Sequence, residues 1–95
     1  MNSEKKFKIL VAEDNSINIQ VARYILSPLA SELVFVLNGQ EAIDQFLNVK
    51  YDLILMDVKM PVMDGYEATQ KIRQIERSRG TAEHMPIIAI TANNM

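Results

Sequence analysis

Cysteine is absent from all 95 residues, so the chain has no disulfide frame and no thiolate metal site. That absence suits a reducing compartment and sets the expectation of a cytoplasmic chain. An excess of one charge is also missing. Ten Lys and Arg stand against twelve Asp and Glu, a net −2. A domain that grips nucleic acid would need a strongly basic balance, so no direct nucleic-acid contact is expected. No apolar run approaches the length of a membrane span, and the opening MNSEKKFK lacks the apolar core of a secretory leader. No membrane contact is expected in this segment. Neither a GxGxxG turn nor a GK[ST] loop follows the first apolar run, which excludes the dinucleotide and P-loop readings.

What is present reads as one folded unit. Apolar residues make up 48% and charged residues 23%, values of a globular chain rather than a disordered one. Ninety-five residues suffice for one small core, so residues 1–95 are taken as a single domain. Short apolar runs at residues 7–12, 33–37, 53–57 and 87–91 predict strands. Between them, Ile17, Val21, Ile25 and Leu29 recur at helical spacing after a capping Asn15-Ser16, with Pro28 marking the end. Residues 40–48 and 64–79 form two further amphipathic patterns, and Gly80 stops the last. Strands alternating with helices predict a parallel sheet, because parallel neighbours need long crossovers. The strands are near-continuous apolar runs, as a sheet covered on both faces requires.

The chemistry gathers at the strand ends. The first strand runs into Glu13-Asp14, the third into Asp57 and the fourth into Thr91. In a doubly wound sheet these ends share one edge, where ligands bind. Two carboxylates about 5 Å apart repel by roughly 3 kcal/mol at an effective dielectric near 20. Such a cluster calls for a hard cation, and magnesium suits a site of one or two carboxylates, waters and a phosphate oxygen. An aspartate beside that ion can attack a phosphoryl group. Asp57 is then the nucleophile, and the Thr91 hydroxyl a donor to the phosphoryl oxygen. A lone aspartate after a strand is ordinarily a turn residue. Three strand ends that each carry the needed residue type weigh against that reading here.

VAEDN (residues 11–15), LILMDVKMPVMDGYEA (53–68), the Ile72-Arg73 pair and PIIAITANNM (86–95) together resemble the receiver domain of two-component response regulators. EDNSIN, MDVKMPVMDG and TANNM most resemble the receivers of hybrid histidine kinases. The resemblance implies a flavodoxin-like doubly wound parallel sheet of order 2-1-3-4, with the first helix on one face and the next two on the other. It also implies that Asp57 accepts a phosphoryl group from a phosphohistidine on a sensor histidine kinase or a histidine phosphotransfer protein. Glu13, Asp14, Asp57 and the backbone carbonyl of Lys59 would hold Mg2+, and Thr91 would be the switch hydroxyl. The small Ala92 would leave it room, while Lys59 and Asn93 would tune the lifetime of the aspartyl phosphate. Pro61 and Gly65 would shape the loop after Asp57. The domain would not be an enzyme beyond phosphoryl transfer and hydrolysis at its own Asp57.

One departure stands against the match. The family continues with a helix, a fifth strand and a last helix, and that strand supplies a lysine to the phosphoryl oxygen. Met95 comes where the fourth helix should begin, and Lys50 and Lys59 are the wrong lysines by position. The expectation is a receiver incomplete at its C-terminus, with one face of the third and fourth strands open and self-association through it. The rival function is an interaction module that is never phosphorylated. A haloacid dehalogenase-type phosphatase would need a second acid two positions after Asp57, where Lys59 stands. His84 is read as a surface loop residue. Lys71, Arg73, Arg77 and Arg79, interspersed with Glu67 and Glu76, are read as a solvated helix face.

Overall fold

A computed structural model describes residues 5–90. Its elements run β1 (Phe7–Ala12), α1 (Ser16–Leu26), a 3-10 turn (Ser27–Leu29), β2 (Ala30–Val36), α2 (Gly39–Asn48), β3 (Leu53–Asp57), α3 (Gly65–Arg79) and β4 (Ile87–Ile90). The four strands form one parallel sheet in the order β2-β1-β3-β4, the expected doubly wound arrangement.

Each helix starts by the same device. Asn15, Asn38 and Asp64 have extended backbones, and their side chains accept the amide three residues on, from Asn18, Glu41 and Glu67. In α2 the device is extended, because Glu41 reaches back to accept the Leu37 amide at 2.9 Å. β2 ends at Val36 rather than at residue 37, and the Leu37 amide is satisfied by Glu41 instead of by the sheet. At its other end β2 begins at Ala30, three residues before the apolar run. Phe7 pairs with Ala30, and Lys8 bridges Glu32 at 3.3 Å, so the ladder extends through residues too polar to be read as strand. Gly80, at φ 70°, closes α3 in the left-handed conformation.

Alternation along the strands sends side chains to two unequal faces. Leu10, Ala12, Val36, Ile54 and Met56 point to the face covered by α2 and α3, and pack with Ala42, Ile43, Phe46, Ala68 and Ile72. The other face carries only α1 among the described residues. There the expected apolar stripe is not buried: Ile17 is 71% exposed, Val21 50% and Ile25 59%. Asn18, Ile19, Ala22 and Leu26 are the half-buried positions of α1, so a face beside the stripe, not the stripe itself, meets the sheet. Leu29 lies in the 3-10 turn, not in the helix, because Pro28 ends the regular hydrogen bonding two residues earlier. A groove of about 240 Å³ runs beside α1, floored by Val11, Leu55 and Ile90. No helix among the described residues is long and apolar enough to cross a membrane.

Candidate functional site: an acidic cluster at the carboxyl edge

β1 and β3 lie side by side in the sheet, with Ala12 opposite Met56. The residues that follow, Glu13 and Asp14 on one strand and Asp57 on the other, therefore meet at one edge. A carboxylate oxygen from each lies within 4.8 Å of the others. Glu13 is 3% exposed and Asp57 7%, while Asp14 is open to solvent. At that separation the buried pair repels by about 3 kcal/mol at an effective dielectric of 20. Burial pushes the Glu13 carboxyl above its ordinary pKa, and the neighbouring Asp57 pushes it further. The Asn15 amide, donating to Oε2 at 3.1 Å, opposes both.

Two loops hold this edge. The Lys59 amide donates to Asp57 Oδ1 at 3.2 Å, while the Lys59 side chain is exposed. Gly65 donates its amide to the Val58 carbonyl at 3.0 Å, which packs the start of α3 against the end of β3. A Cβ at Gly65 would stand 2.2 Å from the Asp57 carbonyl oxygen, so only glycine permits that approach. Between them, Pro61 and Val62 make a tight turn in which the Met63 amide donates to the Pro61 carbonyl at 2.6 Å. Val62 adopts φ 68°, the left-handed region, and is 82% exposed. A β-branched residue is strained there. Nothing in the sequence signals this conformation.

Glu13, Asp14, Asp57 and Lys59 thus converge. Thr91, Ala92 and Asn93 lie outside the described residues. Ile90, which precedes them, pairs with Asp57 in the β3–β4 ladder, and its carbonyl accepts the Val58 amide at 3.0 Å. The donor set is all oxygen and offers several negative charges at one point, which suits a hard divalent cation.

One reading of α3 is corrected. Glu76 is not on a solvated face but 3% exposed. Its Oε2 accepts the Met85 amide at 2.6 Å, and its Oε1 accepts Arg73 Nη1 at 2.9 Å and lies 3.3 Å from His84 Nδ1. Burial raises the Glu76 pKa, but these three partners outweigh it and hold the carboxyl below its ordinary value. The signal was available: Ala68, Ile72 and Glu76 stand four apart on one helix face, and the first two are core residues. His84 is exposed, as a loop residue should be, although its ring leans on Glu76.

Fold and site together define a doubly wound parallel sheet with an acidic cluster at its carboxyl edge. The pattern of the response regulator receiver domain matches residues 9–95. The chain belongs to that family and is a receiver domain of two-component signalling, similar to those of hybrid histidine kinases. It is 41% identical over 93 residues to hybrid signal transduction histidine kinase I of Dictyostelium discoideum, covering 93% of this chain and 5% of that protein. It is 39% identical over 112 residues to histidine kinase 5 of Arabidopsis thaliana, covering 95% of this chain and 12% of that one. The chain therefore spans a small fraction of the curated relatives it matches.

Among solved structures, it is similar to the receiver domain of a sensor histidine kinase of Pseudomonas aeruginosa PAO1, which has a magnesium ion coordinated in its active site cleft. The TM-score is 0.80 at 41% identity, over 93% of this chain and 69% of that one. It is also similar to the receiver domain of the Saccharomyces cerevisiae response regulator Ssk1, co-crystallised with the histidine phosphotransfer signaling protein Ypd1. There the TM-score is 0.83 at 31% identity, over 99% of this chain and 69% of that one.

Proposed function

We propose that this receiver accepts a phosphoryl group on Asp57 from a phosphohistidine, carried by a sensor histidine kinase or a histidine phosphotransfer protein. The observation that carries the reading is the meeting of Glu13, Asp14 and Asp57 at the carboxyl edge, with Asp57 buried at the end of β3. An Asp57 carboxylate oxygen forms the new bond to phosphorus. The phosphorus–nitrogen bond breaks, and its electron pair stays on the departing imidazole. The Lys59 amide on Oδ1 fixes the rotamer of the attacking carboxylate. Glu13, Asp14, Asp57 and the Lys59 carbonyl would hold Mg2+, which when bound offsets the negative charge of carboxylates and phosphoryl oxygens. The similar Pseudomonas receiver, with its coordinated magnesium, supports this assignment. Thr91 would donate its hydroxyl to a phosphoryl oxygen, with Ala92 leaving it space and Lys59 and Asn93 setting the lifetime of the product.

On this reading the domain turns over no substrate beyond its own acyl phosphate, and it works in the cytoplasm, where ATP charges the donor histidine. The yeast complex with a histidine phosphotransfer protein supports the choice of partner. Ile17, in the first turn of α1, and Val62, in the turn after β3, are both exposed and suit apolar docking of such a partner. Intact mass after incubation with Mg2+ and acetyl phosphate tests the assignment. One added phosphoryl group, absent in Asp57→Asn, is the expected result. No addition to the unaltered chain would sink it.

The exposed side chains of Ile17, Val21, Ile25 and Ile88 favour a second reading, a module that self-associates or binds a protein without phosphorylation. Light scattering across a concentration series tests the self-association in this reading, which a monomer at high concentration would remove.

A further inference from the structure

β4 is the least secured strand of the sheet. It has four residues, none of them fully buried, and β3 is its only ladder partner among the described residues. The segment leading into it, residues 81–84, is exposed throughout, and Pro86 has no amide to donate. One strong tether precedes the strand, the 2.6 Å bond from the Met85 amide to Glu76 on α3. The other Glu76 oxygen is held by Arg73 at 2.9 Å, so the carboxylate is itself fixed.

We propose that Glu76 is a positioning residue for the phosphoacceptor site: by gripping Met85 it sets where β4 begins, and so where the far end of β4 stands beside Asp57. The inference rests on the phosphoacceptor reading above. Two rungs transmit the grip. The Ile54 amide donates to the Pro86 carbonyl at 3.0 Å near the tether, and the Val58 amide donates to the Ile90 carbonyl at 3.0 Å at the site. A slip of one residue would turn Ile87 and Ile90 to the wrong faces, and a slip of two would move Ile90 by about 7 Å along the sheet. Either would take the Ile90 carbonyl off the Val58 amide, next to Asp57. An apolar residue on the stripe of Ala68 and Ile72 would be cheaper to bury than a carboxylate. Only an acceptor, however, can fix the direction of the Met85 amide.

The test compares Glu76→Ala and Glu76→Gln with the unaltered chain, reading amide hydrogen exchange and the rate of phosphorylation by acetyl phosphate with Mg2+. Glu76→Ala is expected to speed exchange at Val58, remote from the substitution, by about tenfold and to slow phosphorylation by about as much. Exchange at Glu13, whose amide donates to the Val36 carbonyl across β1 and β2, should not change. Glu76→Gln keeps an acceptor for Met85 and should restore most of both. Val58 protection and phosphorylation unchanged in Glu76→Ala would overturn the inference. So would protection lost equally at Val58 and Glu13 in both variants, because that marks global unfolding. If the unaltered chain takes no phosphoryl group, the phosphoacceptor reading fails, and Val58 protection alone then decides whether Glu76 positions β4.

Discussion

Glu13 and Glu76 are equally buried, each 3% exposed, yet their acidities move in opposite directions. Burial raises both. Glu76, beyond the start of β4, is answered by an amide, a guanidinium and an imidazole that together overcome it. Glu13, at the carboxyl edge, has the Asn15 amide but also faces Asp57, and its acidity stays weakened. The difference separates a carboxylate whose charge is answered within the fold from one whose charge is not. Desolvation alone marks neither; the charge and hydrogen bonds of the neighbours do.

The largest test strikes the backbone beneath the acidic edge. Gly65→Ala should destabilise the chain by about 3 kcal/mol in denaturant titration, because its Cβ meets the Asp57 carbonyl at 2.2 Å and backbone must move. A loss below about 1 kcal/mol would show that the edge yields more easily than its geometry suggests.

Magnesium should relieve the one cluster and ignore the other. At ten times its Kd, Mg2+ should raise stability by about 1.4 kcal/mol. The gain should largely disappear in Asp57→Asn and persist in Glu76→Gln. Thermal unfolding with and without the ion reads both.

Substitution of the two glutamates should have opposite signs at pH 7 without metal. Glu76→Gln should cost about 1 kcal/mol by weakening charge-assisted bonds. Glu13→Gln should stabilise, by less than the roughly 3 kcal/mol ceiling of its repulsion with Asp57. The pH dependence follows. The lowered pKa of Glu76 gives a stabilisation present above its unfolded value of 4.5 and lost as pH falls through the lower folded value. The raised pKa of Glu13 gives a penalty that is full above its folded value and fades as pH falls towards 4.5. Acid titration of stability should therefore lose part of its fall in Glu76→Gln. Equal behaviour of the two variants would erase the contrast.

The smallest effect belongs to the turn at the edge. Val62→Gly removes left-handed strain but frees the unfolded chain, so a net gain of about 0.5 kcal/mol is expected in thermal unfolding.

Much of this was readable from the chain order. The alternation of apolar runs with helical patterns marks the four strands and three α-helices found among the described residues, and the acidic residues after β1 and β3 point to one edge. The start of β2 is not legible in its side chains, because Ala30 and Glu32 pair with Phe7 and Lys8 through the backbone, with Ser31 bulged between them. The stripe of Ile17, Val21 and Ile25 has the right period, but period alone does not say which neighbour covers it. The charge of Glu76 points to solvent, but its place on the Ala68–Ile72 face decides its burial.

Periodicity and strand-end chemistry are local properties, carried by side-chain type and spacing, and the amino-acid order was enough to settle the fold and to gather Glu13, Asp14 and Asp57. Which buried carboxylate is satisfied and which is strained depends on groups far apart in the chain. Met85 reaches Glu76 across nine residues, and Glu13 meets Asp57 across forty-four, so only packing in three dimensions could assign their opposite electrostatics.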